Sequence, residues 1–131
     1  MKALVETADG VFELDLDEEE VLDFEPGGSL PAHPLPEAPF PVIAGDAHGS
    51  TVIAVVDRRP PLVVSYDAGV TWTETGGGLP AGHAVAVAEA NPDLVLFASR
   101  NRLYLSRDGG RFWSSLPLEL PEIYALSLTE A

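Results

Sequence analysis

Four arginines, Arg58, Arg59, Arg100 and Arg102, fall in short turns between apolar runs. A guanidinium is a planar fork that matches a carboxylate or a phosphate. Asn101 lies between two of them, and His83 and His33 sit in the loops that join one stretch of strands to the next. A fold that brings these turns to one face would offer a site for an anionic group or partner. Hydrolytic chemistry would need something else, a carboxylate pair standing across a glycosidic bond. The candidate acids, Asp46, Glu89 and Glu122, are scattered along the chain. There is no convincing Ser-His-Asp spacing, no histidine cluster and no phosphate loop. His33, His48 and His83 are isolated from one another. The run Asp17-Glu18-Glu19-Glu20 offers carboxylate oxygens of the kind that hard cations take, but it reads more simply as a solvated turn. No catalytic residue, cofactor or metal site follows from these patterns.

Composition narrows the partners. The chain has 131 residues, 46% of them hydrophobic, enough for one domain with a core. It has no cysteine, which excludes disulfides and thiolate metal sites. Seven basic against 21 acidic residues give a net charge of −14. A phosphate backbone is repelled by that charge, so nucleic acid is not an expected partner. No apolar run approaches the roughly 20 residues of a membrane helix, and the first residues lack a signal peptide's apolar stretch. The expectation is a soluble cytoplasmic protein with no membrane partner.

The elements that must position these residues are announced by a repeat. Ser65-x-Asp67-x-Gly69-x-Thr71-Trp72 returns as Ser106-x-Asp108-x-Gly110-x-Phe112-Trp113, an offset of about 40 residues. Each copy lies between two period-2 apolar runs and reads as a hairpin turn. The Asp accepts backbone N–H groups, the Gly supplies a positive φ, and the Trp opens the next strand. Aligning Asp17 with Asp67 places Asp15 under Ser65 and reveals an eroded third copy. Every position has a folding role, so the turn is structural rather than catalytic.

These octapeptides resemble the Asp-box, or BNR, repeat of β-propellers, the family of the sialidases, the sortilin-type receptors and the photosystem II assembly factors. The stretch Asn91-Pro92-Asp93-Leu94-Val95-Leu96-Phe97-Ala98-Ser99 resembles that family's opening of a blade's second strand. The resemblance implies an all-β fold of four-stranded antiparallel blades, with the box between third and fourth strands and the arginine-bearing turns together on the opposite face. Sialidases of the family use an arginine triad and a Tyr–Glu pair. Nothing places Tyr66, Tyr104 or Tyr124 beside such a set here.

In chain order, strands are expected over residues 3–7, 11–16 and 21–24, with Asp9-Gly10 as a type I′ turn. The proline-rich stretch 25–40 reads as a long surface loop. Four strands follow within 41–82 and four within 83–121. One more, 122–128, ends the tally. The repeats are thus 1–40, 41–82 and 83–131, with 122–128 completing a first blade. Three blades fall below the four to eight that close a ring, and open ends would expose apolar faces and unpaired edges. A homodimer is therefore expected: a six-bladed, strand-swapped ring in which each chain's last strand completes its partner's first blade. The function expected is a non-catalytic binding or scaffold module for a protein, peptide or glycan, acting through the arginine face or the central channel. The alternative is a small glycoside hydrolase with a site assembled across the dimer.

Overall fold

The structure is a computed structural model that describes residues 1–31 and 34–129. It contains twelve strands: β1 (Lys2–Thr7), β2 (Gly10–Asp15), β3 (Glu20–Pro26), β4 (Ala44–His48), β5 (Thr51–Val55), β6 (Leu62–Ser65), β7 (Thr73–Thr75), β8 (Ala84–Val87), β9 (Val95–Ala98), β10 (Arg102–Ser106), β11 (Ser114–Glu119) and β12 (Ile123–Thr129). They form three four-stranded antiparallel sheets, ordered β12-β1-β2-β3, β4-β5-β6-β7 and β8-β9-β10-β11. Among the described residues there is no helix, so none is long and apolar enough to cross a membrane.

The third sheet lies between the other two. On β8 the side chains divide by period 2. Ala84 and Ala86 join Ala3, Val5, Leu14 and Leu126 of the first sheet in the largest core cluster. Val85 and Val87 join Ile53, Val55, Leu62 and Val64 of the second. Both faces of the third sheet are therefore covered, and β8 and β9 are buried at every position. That is why their sequences are unbroken apolar runs rather than alternating ones. Polar seams join the innermost strands: the Val87 N–H donates to Asp46 Oδ2 at 2.8 Å, and His83 Nδ1 lies 3.1 Å from the Ile123 carbonyl.

The two outer faces are finished differently. On the second sheet, Ala54, Val56 and Val63 lie beneath Phe40, Val42 and Trp72. Phe40 meets the Trp72 ring edge-on at 5.2 Å. A Cβ on Gly45 would come within 2.5 Å of Pro36 Cγ. The proline-rich segment is thus a strap laid over this face. On the first sheet, the register places Lys2 beside Asp15, Glu13 beside Asp23, and Val11 between Glu6 and Glu25. That face is acidic and solvated.

Within the single chain the last strand pairs with its own β1, from Lys2↔Thr129 to Thr7↔Ile123, so its own first sheet is within reach. The expectation of a strand-swapped ring assumed that the sheets follow one another in sequence order. Instead the first sheet lies beyond the third, with its β12 against β8, and the connection 27–43 returns to β4. Extended, that connection can reach on the order of 50 Å. One outer face is covered by the strap, whereas β3 is an exposed edge strand at the other end and carries Val21, Leu22 and Phe24 at 45%, 41% and 37% exposure, an open apolar edge of the kind expected. The three sheets do not close into a ring within the chain.

One turn moves as well. β1 and β2 pair as Thr7↔Gly10, so the two-residue turn is Ala8-Asp9, with Thr7 Oγ1 donating to the Gly10 carbonyl at 2.8 Å. Gly10 has a φ of 143° and opens β2. A side chain there would strike the Glu25 carbonyl.

Candidate functional site

The arginine-bearing turns sit where the sequence puts them, between second and third strands, and Arg58, Arg100 and Arg102 are already engaged. Arg100 Nε lies 3.8 Å from Glu122 Oε1, and an Arg102 amino group lies 3.8 Å from Glu119 Oε2. Asn101 Nδ2 donates to Glu119 Oε1 at 3.1 Å. Backbone bonds tie this turn to its neighbours: Ile123 N–H to the Arg100 carbonyl, Leu120 N–H to that of Asn101, and Ala8 N–H to that of Glu122. The β1–β2 turn, the β9–β10 turn and the approach to β12 therefore share one face. Arg58 is held differently, its guanidinium 5.9 Å from the Phe40 ring. Arg59 is exposed. His33 lies outside the described residues. Exposed pairs of this kind contribute little, about 0–1 kcal/mol, so an incoming carboxylate can replace Glu119 or Glu122.

A cavity of about 430 Å³ opens among the innermost strands, lined by Glu6, Leu30, Leu35, Ile43, His83 and Tyr124 among others. All three sheets contribute to it, and the 27–43 strap supplies a wall. Glu6 Oε1 accepts the Leu30 N–H at 2.7 Å, which pins the strap to β1. A carbonyl can only accept, so His83 Nδ1 carries the proton facing Ile123 and Nε2 is the nitrogen left for a ligand. Tyr124, 52% exposed, adds a phenol beside apolar wall. Apolar surface with a few convergent polar groups is the usual composition of a ligand site.

The two Asp turns are built alike. Ser65 Oγ donates to Asp67 Oδ1 at 2.7 Å and accepts the Gly69 N–H at 2.8 Å. Ser106 Oγ does the same with Asp108 Oδ1 at 2.7 Å and Gly110 N–H at 2.9 Å. Trp72 Nε1 donates to the Gly69 carbonyl at 3.1 Å and Trp113 Nε1 to that of Gly110 at 2.9 Å. Gly69 and Gly110 have φ of 89° and 97°. Thr71 donates to Asp67 through both its N–H and its hydroxyl, at 2.8 and 2.6 Å. With the Ser65 hydroxyl these donors lower the Asp67 pKa to about 2. Asp108 is also lowered, first by the Phe112 N–H and then by the Ser106 hydroxyl. Both carboxylates are taken up by the hydrogen bonds of their own turns. In the eroded copy Asp15 stands in for the serine, its Oδ1 accepting the N–H groups of Asp17 and Glu18. Asp17 instead meets the Met1 ammonium at 3.0 Å and Arg107 at 3.5 Å. Its pKa is lowered, mainly by that ammonium.

The carboxylates that looked scattered partly converge. Asp46, His48 and Glu89 line a small pocket of about 180 Å³ at one end of β4 and β8. Asp46 is nevertheless committed to the fold, since Oδ1 accepts the Ala47 N–H and Oδ2 the Val87 N–H. A general acid must present a proton on one of those oxygens. Glu122 is elsewhere, against Arg100. Among the described residues no three His, Asp or Glu side chains gather where they could hold a metal ion.

Sequence reasoning missed Arg111, Phe112, Tyr104 and Trp113 as a lining. With Gly77 and Gly78 they border a groove of about 400 Å³ at the outer rim between second and third sheets. The available signal was the difference between the repeats, Thr71 in one and Phe112 in the other. No protein-family model matches the chain, and a comparison with curated proteins finds no match.

Proposed function

We propose that the chain is a non-catalytic binding or scaffold module, of the Asp-box propeller type, that recognises a protein, peptide or glycan group. The recognising surface is the inner-strand cavity and the arginine-bearing loops beside it. The observation that carries this reading is the cavity's construction: three sheets and the strap converge on apolar wall with one carboxylate, one imidazole and one phenol. A hydrolase would need a free acid pair there, and among the described residues that line it Glu6 is the one carboxylate.

A two-chain form fits the same reading. If residues 1–26 exchange through a re-routed 27–43 connection, β1 meets a partner's β12 with its register unchanged.

Amide NMR with panels of short peptides and oligosaccharides tests the site. Shifts centred on His83, Tyr124 and Ile43, weakened by Tyr124→Ala, are expected. Shifts confined to other surfaces, or turnover of a panel of methylumbelliferyl glycosides, refute it. Light scattering resolves the assembly, because 13.9 kDa is one chain and twice that mass is the exchanged pair.

A further inference from the structure

The two Asp turns share their network but differ at one residue. Thr71 bonds Asp67 through its hydroxyl. Phe112 keeps only the backbone bond, its N–H donating to Asp108 Oδ1 at 3.0 Å. The second copy thus gives up a hydrogen bond and gains an aromatic ring that is 80% exposed. Neither change helps the fold. Large exposed aromatics of this kind are characteristic anchors of interaction surfaces.

The surroundings of Phe112 agree. On one side is the groove of about 400 Å³, with Tyr104, Trp113 and Arg111 in its lining. On the other is a second depression of about 290 Å³, lined in part by Arg107 and Leu105. Two of the seven basic residues of a chain of charge −14 therefore flank one exposed ring. Arg111 is preset: its guanidinium lies 4.9 Å from the Tyr66 ring, and Nη1 donates to the Asp108 carbonyl at 2.6 Å. The Tyr66 hydroxyl in turn donates to the Gly109 carbonyl at 2.9 Å. A fork held this way loses little entropy when its remaining donors meet a carboxylate. Opposite stands Gly77. It has no positive φ, and a Cβ on it would meet nothing within 4 Å. The fold does not demand glycine there, whereas a partner lying along the groove gains close backbone approach.

We propose that this rim groove is a docking site for an extended acidic peptide segment, in which an apolar residue packs beside Phe112 and a neighbouring Glu or Asp pairs with Arg111. Charge complementarity selects the partner. Among the described residues beside the exposed ring, Arg107 is paired with Asp17 and Asp108 is held by its turn, which leaves Arg111 as the cation with donors to offer. The rest of the chain repels anions at long range, so recognition is local. At about 0.15 M salt the Debye length is near 8 Å, which screens the general repulsion but not a contact pair.

The test uses the full chain and amide NMR, with three blocked decapeptides that alternate Glu with Pro, Leu or Tyr, and three Lys counterparts. Trp113 and Trp72 provide indole N–H resonances in the groove and away from it. At least one Glu peptide is expected to shift the Trp113 indole and the Gly77 and Phe112 amides, leaving Trp72 still. Phe112→Thr restores the residue of the first copy and is expected to keep the fold while weakening binding about tenfold or more. Gly77→Leu should block the groove with the same result. The proposal is overturned by absence of shifts at millimolar peptide, by equal shifts with the Lys peptides, or by unchanged binding in Phe112→Thr. It is equally overturned if an oligoglucuronate moves these resonances and no peptide does.

Discussion

Asp46 is the residue whose loss should most directly uncouple the second and third sheets. It is 9% exposed, and its two oxygens accept N–H groups from its own strand and from β8. In Asp46→Ala the Ala47 N–H is on an exposed residue and finds water. The Val87 N–H belongs to a residue 2% exposed and does not. Leaving such a donor unsatisfied costs about 1–3 kcal/mol. Losing the charged acceptor adds to this, so a total of roughly 2–3 kcal/mol is expected. For a chain of this length each kcal/mol lowers Tm by about 3–5 °C, so a drop near 10 °C should be seen by circular dichroism. Hydrogen exchange isolates the cause. The Val87 amide should lose protection by more than the global change, while the β9–β10 amides fall only with global stability. A Val87 amide that stays as protected as its neighbours, or a Tm change under 3 °C, would show that Asp46 does not hold this seam.

Three other perturbations follow from the same geometry. Because Asp67 has a folded pKa of about 2 against 3.8 unfolded, its contribution is fully present above pH 4 and is lost as pH falls from about 4 to 2; the urea midpoint should decline across that window, and less so in Asp67→Asn. Gly82→Ala would put a methyl 2.5 Å from Phe97 Cε2 and 2.7 Å from Val55 Cγ1, so an overpacking loss of about 1–3 kcal/mol is expected in urea melts, and a neutral result would mean that the seam between β8 and the second sheet is looser than described. Gly45→Ala drives a methyl into Pro36 and should lift the strap, giving faster proteolytic cleavage within 34–43 and a red shift of Trp72 emission as Phe40 withdraws, without comparable change at Trp113.

Local chemistry made the strands and both Asp turns legible. Thr7 shows the limit of that method: Asp9-Gly10 is a good hairpin signal, but the Thr7 hydroxyl captures the Gly10 carbonyl and moves the turn back by one residue. Sheet order was not legible, because period-2 patterns specify which side chains share a face and not which face they meet. Ala84 and Val85 both read as buried, yet one packs on the first sheet and the other on the second. The candidate site was half legible. The arginines could be assigned to one kind of turn, but their glutamate partners, 17 and 22 positions away, could not. Asp46 looked like a stray acid because its partner, the Val87 N–H, is 41 residues distant.

The strap resolves a tension that composition alone raises. Three stacked sheets have two outer faces, and a chain of 131 residues cannot cover both with further sheets. One solution is charge: Glu13, Asp15, Asp23 and Glu25 on the first sheet keep its outer side in water and repel another acidic edge. The other is cover: Phe40 and Val42 on Ala54, Val56 and Val63, with Pro36 against Gly45. Proline suits that task. Its fixed φ limits the entropy lost when the segment lies down, and its missing N–H leaves one fewer donor to satisfy against an apolar face. The same segment walls the inner cavity through Leu30, Leu35 and Ile43. Covering the second sheet and shaping the cavity are therefore one structural act, and a ligand that packs on Leu35 and Ile43 should stabilise the outer face of the second sheet at the same time.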